Sequence, residues 1–275
     1  ILSDDQSWVG SSVLMDPANL ETRSDYLRTP QMERMSRMGM RFTQGYAPAP
    51  YCCPTRRSLV VGQTPARHVY QKDQPGWVKN FRESLSLPRM LKLADPRYRT
   101  AHFGKWDSRF DNVSPEQMGY DVSDGLTGNA TGGGKGDSDA GSSDDPKLVD
   151  SLTERAGSFI EKHAKSGQPF FVQVSHYAVH LDIFYRKSTL SRTRQWETGR
   201  RHTLPKFAAM TSDVDQAIGQ LLDHIESLDL LDNTYIFFMS DNGGRLTMPG
   251  QKRGKLPRNY PLHEGKGSMY EGGLR

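Results

Sequence analysis

The chain predicts an α/β fold: a large mixed, mostly parallel sheet flanked by helices. Three observations lead there. Short apolar runs of strand length alternate with longer segments of helical period. No internal repeat breaks the alternation. Three of the strand-like runs end in polar clusters, Asp4-Asp5, Ser175 to His180 and Asp241-Asn242. Open α/β sheets gather ligands at the carboxyl ends of their strands, so these clusters are site candidates on position alone.

The elements follow in order. Ile1-Leu2-Ser3, running into Asp4-Asp5, reads as the end of a strand. Thr29-Pro30 followed by Met32, Met35, Met38 and Met40 reads as a helix with Pro in its first turn and a methionine stripe on the core. Arg41 to Tyr46 reads as a short strand, and Ser58 to Val61 as the opening of a helix after a turn at Pro54. Leu85 to Leu93 is a short amphipathic helix and Tyr98 to Phe103 a strand. Residues 121–146 hold seven glycines among Asp and Ser, with no apolar period, and read as a mobile loop. Leu148 to Ala164 returns to helical period, and Pro169 to Val174 is a buried strand. Phe207, Met210, Val214, Ala217, Ile218, Leu221, Leu222 and Ile225 keep one face of a long helix. Tyr235 to Met239 is an apolar strand that delivers Asp241-Asn242.

Composition sets the outer limits. Of 275 residues 35% are hydrophobic, about 96, enough for a sizeable core. The formal charge of +4 is far short of a nucleic-acid footprint, and no interleaved aromatics accompany it, so no nucleic-acid partner is expected. No apolar run approaches 18 residues, so no membrane span is expected. Two adjacent cysteines, Cys52 and Cys53, build neither a disulfide framework nor a zinc or CxxC redox site. The first residues and the last read as a chain cut at both ends.

Two constellations carry chemistry. Asp4, Asp5, Asp241 and Asn242 offer oxygen donors of the kind Ca²⁺ or Mg²⁺ takes; a solvated strand end is the plainer reading of an Asp pair by itself. Cys52-Cys53-Pro54-Thr55-Arg56 places a cysteine at a turn entering a helix, with an arginine four residues later on the same face. The helix N-terminus there would attract an anion.

With that segment the chain resembles the type I, formylglycine-dependent sulfatases of the alkaline phosphatase superfamily. The resemblance rests on CxPxR with its trailing Leu59 and Gly62, Asp4-Asp5, Gly104-Lys105-Trp106, Val179-His180, Asp241-Asn242-Gly243, and Gly265-Lys266-Gly267 with Tyr270-Glu271-Gly272-Gly273, all in family order. It implies an alkaline-phosphatase-like sandwich, with residues 1–275 as the N-terminal catalytic domain and the smaller C-terminal subdomain absent. It implies that Cys52 is converted to formylglycine by a generating enzyme or maturase, and that its hydrate attacks a sulfate ester, plausibly of a carbohydrate. Asp4, Asp5, Asp241 and Asn242 would hold the metal, usually calcium, with magnesium as the other choice. Arg56 would steady the formylglycine, Lys105 and Lys266 would contact the sulfate, and His180 would contact it and protonate the leaving oxygen. The family's periplasmic, secreted or lysosomal setting is implied too, with a sulfated small molecule or glycan as partner. One position departs: the family's Lys-Trp-His is here Lys105-Trp106-Asp107. Asp107 would accept a hydrogen bond from the diol, pair with Lys105, or repel the sulfate, and His102 and His176 are the candidates to compensate. Two competing functions stay open: a phosphodiesterase or phosphonate monoester hydrolase with the same nucleophile, and a catalytically silent binder of sulfated glycans.

The remaining features divide between functional and plain readings. Arg186, Lys187, Arg192, Arg194, Arg200 and Arg201, with Lys252, Arg253, Lys255 and Arg258, form either a rim for a polyanion or a solvated surface. His68, His163, His202 and His224 read as ordinary surface or helix residues, and His263 as a possible pocket neighbour of Lys266.

Overall fold

The computed structural model describes residues 1–68, 76–107, 112–129, 141–250 and 254–275. Along the chain lie β1 (Leu2–Ser3), α1 (Pro30–Met38), α2 (Cys52–Val61), α3 (Trp77–Glu83), α4 (Leu87–Ala94), β2 (Arg99–Gly104) and β3 (Val122–Ser123). Then come α5 (Val149–Lys165), β4 (Phe170–Ser175), α6 (Lys187–Thr193), α7 (Pro205–Ser227), β5 (Met239–Ser240) and α8 (Glu271–Leu274). The five strands form one sheet in the order β3-β2-β4-β1-β5. Every strand pairing among the described residues is parallel, so the mostly parallel sheet is present without an antiparallel member there.

A parallel sheet must be covered on both faces, and side-chain alternation along β2 and β4 shows how. Ala101, Phe103 and Val174 point into a core built with Leu152, Ala156 and Ile160 of α5 and Leu221 and Ile225 of α7. Phe171, the alternate position on β4, packs against the opposite core of Val60 and Val61 from α2, Phe81 from α3, and Trp106 and Tyr120. The result is a three-layer α/β/α sandwich. Helix α7 also touches α1 and α6, which is why its apolar residues spread beyond one stripe. Each fully buried Leu, Ile or Val there contributes about 1.5–3 kcal/mol.

Register positions the site. Leu2 pairs with Ser175 on one side and Met239 on the other, and Ser3 with Ser240. The residues that follow each strand therefore emerge side by side at one edge of the sheet. Asp241 N–H donates to the Ser3 carbonyl at 3.1 Å and Val179 N–H to the Asp4 carbonyl at 2.9 Å, so the alignment continues past the strands. Gly104 ends β2 at φ +97, and a Cβ there would stand 2.0 Å from the Ser175 carbonyl oxygen. Only glycine lets β2 approach β4 this closely and still hand Lys105 to the site.

Several elements differ from the sequence expectation. Residues 41–46 form no strand, and Phe42 and Tyr46 are exposed, because no neighbouring strand pairs with them. Helix α2 starts at Cys52, not Ser58. Pro54 sits in its first turn, where a missing N–H costs nothing, and Gly62 closes it in the left-handed conformation. Of the methionine stripe Met32 is buried and Met35 packs partly against the core, while Met38 in the last turn of α1 and Met40 beyond Gly39 are exposed. Of residues 235–238 only Phe237 pairs with the sheet, its carbonyl accepting from the Ile1 amino group at 2.7 Å, so the strand shrinks to Met239–Ser240 at the sheet edge. Tyr235 and Phe237 face outward there, and Ile236 and Phe238 face the core. Within the glycine-rich segment Val122–Ser123 pair with β2; residues 130–140, with Gly132, Gly133, Gly134 and Gly136, lie outside the described residues.

Candidate active site

The three polar strand ends meet with the N-terminus of α2 and the loop carrying Lys266. Cys52 is buried, and its Sγ lies 3.6 Å from Lys266 Nζ. Lys266 in turn holds Asp5, at 2.6 Å and 2.7 Å from its two carboxylate oxygens. Backbone bonds from Lys266 N–H to Gly244 and from Gly267 N–H to Pro50, both at 3.0 Å, hold this loop between β5 and α2.

One turn along α2, Arg56 crosses beneath the site. Its Nε donates to Asp241 Oδ2 at 2.9 Å, Nη2 lies 2.8 Å from the same oxygen, and Nη1 donates to the Lys105 carbonyl at 2.6 Å. Asp4 is 3.5 Å away. Arg56, expected from sequence to steady residue 52, bonds instead to the Asp241 carboxylate and the Lys105 carbonyl, with Asp4 close by. Lys105 Nζ donates to Asp4 Oδ2 at 2.5 Å and stands 3.8 Å from Asp107. Asp107 is buried with φ +65, its N–H bonded to the Thr127 carbonyl at 2.8 Å. His180 donates from Nδ1 to the Leu181 carbonyl at 2.6 Å, which leaves Nε2 facing Asp5 at 3.7 Å.

Burial and charge act against each other here. Burial opposes the charge on Lys105, yet Asp4 beside it holds the ammonium above its ordinary range. Burial likewise opposes Lys266, and Asp5 overcomes it. Burial pushes His180 below the usual imidazole range, against the pull of Asp4 and Asp5. Burial, followed by the Asp4 carboxylate, pushes the Cys52 thiol up to about 12. An unmodified Cys52 is therefore a protonated thiol and a poor nucleophile at neutral pH.

The acidic cluster fits a hard cation. Asp4 Oδ1 and Asn242 Oδ1 are buried oxygens with no hydrogen-bond partner, a costly arrangement without a ligand. Asn242 is oriented by its own amide, which donates to Asp5 Oδ1 at 2.8 Å and to the Gly243 carbonyl at 2.9 Å. Burial, with Asp4 as neighbour, pushes the Asp241 carboxyl up to about 7; a cation would relieve that repulsion. One ligand atom each from Asp4, Asp5, Cys52 and His180 also lies within 4.8 Å of the others.

A cleft of about 690 Å³ opens above Cys52, lined by Pro50, Tyr51, His180, Lys266, Asn129 and Met269 among others. Its walls are mostly apolar. The whole of residues 1–275 matches the sulfatase family model. The chain belongs to the sulfatase family. It is 25% identical to N-acetylgalactosamine-6-sulfatase of Homo sapiens, over all of this chain and 54% of that protein. It is 23% identical to a sulfatase of Formosa agariphila, over all of this chain and 61% of that protein. The chain therefore spans little more than half the length of these relatives. Among solved structures, Ps i-CgsB superposes with a TM-score of 0.75 at 23% identity, covering 100% of this chain and 63% of that one. PsFucS1 sulfatase from Pseudoalteromonas sp. gives 0.74 at 22%, covering 100% and 59%. These likenesses show the alkaline-phosphatase-like fold.

In this sulfatase chain all ten residues singled out from sequence, Asp4, Asp5, Cys52, Arg56, Lys105, Asp107, His180, Asp241, Asn242 and Lys266, fall in this one region. The proposed compensating histidines do not serve. His102 is fully buried, bonded to Ser175 Oγ at 3.1 Å and packed edge-on against Trp106 and Tyr120, and His176 is buried below the strand end. His68 and His202 are buried as well, against expectation: His68 is bonded to Ser58 Oγ at 2.9 Å, and His202 to Ser24 Oγ at 2.9 Å beside Asp25. His263 is exposed against Tyr270. The basic run divides: Arg186 pairs with Asp150 and Asp213, Arg200 with Glu21, Arg201 is buried near Glu21 and Asp25, and Arg258 lies over the Phe207 ring, while Lys187, Arg192, Arg194 and Lys255 are exposed. Lys252 and Arg253 lie outside the described residues. Sequence reading missed Lys147 and Asp182, both buried near the cluster; Asp-Asp-Pro-Lys after a glycine-rich stretch looks like a solvated turn.

Proposed function

We propose that this chain carries the catalytic part of a hydrolase acting on a sulfate ester of a carbohydrate, with a formylglycine formed at Cys52 and a calcium ion held by Asp4, Asp5, Asp241 and Asn242. The observation that supports it most is the meeting of Cys52 with Lys266, His180 and the carboxylate cluster at the floor of one cleft. A formylglycine hydrate supplies a hydroxyl nucleophile that a buried, protonated thiol does not. Calcium, when bound, polarises sulfate oxygens and leaves the cluster less negative.

The chain's own residues do the rest. Lys105 and Lys266 offset the charge of the sulfate oxygens and orient them over residue 52. His180, its Nδ1 held by the Leu181 carbonyl, turns Nε2 toward the cleft; in its imidazolium form, which Asp4 and Asp5 favour against burial, it hands the Nε2 proton to the departing alcohol. Arg56 holds Asp241 in place and favours its ionised form against burial. A curated relative is named for N-acetylgalactosamine 6-sulfate, and one Ps i-CgsB structure holds a k-i-k-neocarrahexaose; both point to a sulfated glycan as the substrate class. No helix among the described residues is long and apolar enough to cross a membrane. A secreted, periplasmic or lysosomal setting and a maturation enzyme complete the reading. Asp107 keeps one rival in view, a chain that binds sulfated glycans without turning them over.

The test is the full-length protein coexpressed with a formylglycine-generating enzyme. The peptide containing Cys52 is expected to lose H₂S and gain O by mass, and the protein to cleave aryl sulfate in preference to aryl phosphonate. Cys52→Ala is expected to abolish turnover. An unconverted Cys52, or a preference for phosphonate, overturns the reading; conversion with glycan binding but no turnover favours the silent binder.

A further inference from the structure

Three of the four cations in the cluster have a carboxylate in contact: Arg56 with Asp241 at 2.8 Å, Lys105 with Asp4 at 2.5 Å, and Lys266 with Asp5 at 2.6 Å. Lys147 is the exception. It is 4% exposed, and its Nζ is buried with no hydrogen-bond partner. Its ammonium feels the charges of Asp4, Asp182, Lys105 and Asp5, and it sits 5.8 Å above the Phe184 ring. Asp182, also 4% exposed, keeps an oxygen without a hydrogen-bond partner. The backbone is strained to deliver this side chain inward: Lys147 and Leu148 have φ of +58 and +55, just before α5, whose first N–H groups Asp145 accepts.

A buried ammonium without a partner is expensive, so its place calls for an anion. The charges of the cluster agree. Five carboxylates, Asp4, Asp5, Asp107, Asp182 and Asp241, face four cations, Arg56, Lys105, Lys147 and Lys266, a balance of −1. A divalent cation brings it to +1, the complement of one sulfate monoester.

We propose that Lys147 is a third substrate-contacting cation, donating from Nζ to an oxygen of the bound sulfate group beside Lys105 and Lys266. This rests on the sulfate-ester reading above. In a chain whose Asp107 adds a negative charge where the family has histidine, Lys147 supplies the compensating positive one.

The experiment measures the dissociation constant of inorganic sulfate, with calcium present, for the full-length protein and for Lys147→Met, Lys147→Gln and the reference Lys266→Met, together with thermal unfolding of each. Lys147→Met and Lys147→Gln are expected to weaken sulfate binding at least tenfold while unfolding at or above the wild-type temperature, since an unpaired buried charge has been removed. Unchanged sulfate affinity in these two variants, with Lys266→Met impaired, overturns the role of Lys147 and leaves the sulfatase reading standing. Two variants that unfold at lower temperature with sulfate affinity intact, or that do not fold at all, assign Lys147 to the scaffold and overturn it too. A wild type that takes up no sulfate overturns both.

Discussion

Replacing Arg56 with methionine tests the electrostatic frame of the site. The side chain is 3% exposed and ties Asp241 to the Lys105 carbonyl through contacts of 2.6–2.9 Å. Methionine keeps much of the volume and none of the charge. It strands Asp241, which is fully buried and keeps only the Asp5 N–H at 3.1 Å, beside the Asp4 carboxylate. Removing one partner of a buried pair costs about 3–5 kcal/mol. At about 2.1 cal/mol/K per residue the 275 residues have an unfolding entropy near 0.6 kcal/mol/K. The expected fall in midpoint is therefore roughly 5–9 °C. The proposed calcium would change the comparison, because it would neutralise the same carboxylate. Thermal unfolding of wild type and Arg56→Met, each in chelator and in excess calcium, is expected to show the deficit in chelator and a larger calcium-induced rise for the variant. A variant within about 1 kcal/mol of wild type in chelator would refute the reasoning, since Asp241 would then not depend on Arg56. Arg56→Lys is expected to recover only part, as an ammonium cannot reach Asp241 and the Lys105 carbonyl in one planar fork.

Two further outcomes follow from the same geometry. Asp107→Asn keeps the shape and tolerates the left-handed backbone while removing a negative charge 3.8 Å from Lys105; titration calorimetry with inorganic sulfate is expected to show about tenfold tighter binding, and equal or weaker binding contradicts a repulsive Asp107. His202 is held neutral by burial, despite its hydrogen bond to Asp25, with its pKa lowered to about 4. Between pH 6.5 and 4 the unfolded chain binds a proton that the folded one refuses, so the contribution is complete above pH 6.5 and is lost as pH falls toward 4. Chemical denaturation is expected to show wild type losing about 3 kcal/mol more than His202→Gln between pH 7 and pH 4; parallel pH curves would show that His202 does not carry the effect.

What was legible in the sequence was what local geometry decides. A cysteine and an arginine four apart at a helix start must share a face, and the structure has them there. Carboxylates after apolar runs must cluster if the strands are parallel neighbours, and the β4-β1-β5 order makes Asp4, Asp5, His180, Asp241 and Asn242 neighbours. What was not legible depends on partners that no local pattern names. Arg41 to Tyr46 has the composition of a strand and lacks a strand beside it. His68 and His202 read as surface residues because nothing nearby in sequence reveals Ser58 or Ser24 and Asp25 packing onto them. Lys147 is the sharpest case. Its sequence neighbours are acidic and polar, which argues for solvent, yet two left-handed residues turn its side chain into a buried cluster more than 100 residues away from Asp4 in the chain. Charge bookkeeping, not periodicity, is the signal that finds such a residue. With Asp107 adding a carboxylate 3.8 Å from Lys105, the proposed sulfate site would need one more cation than the motifs supply, and Lys147 is the ammonium in the cluster without a carboxylate in contact.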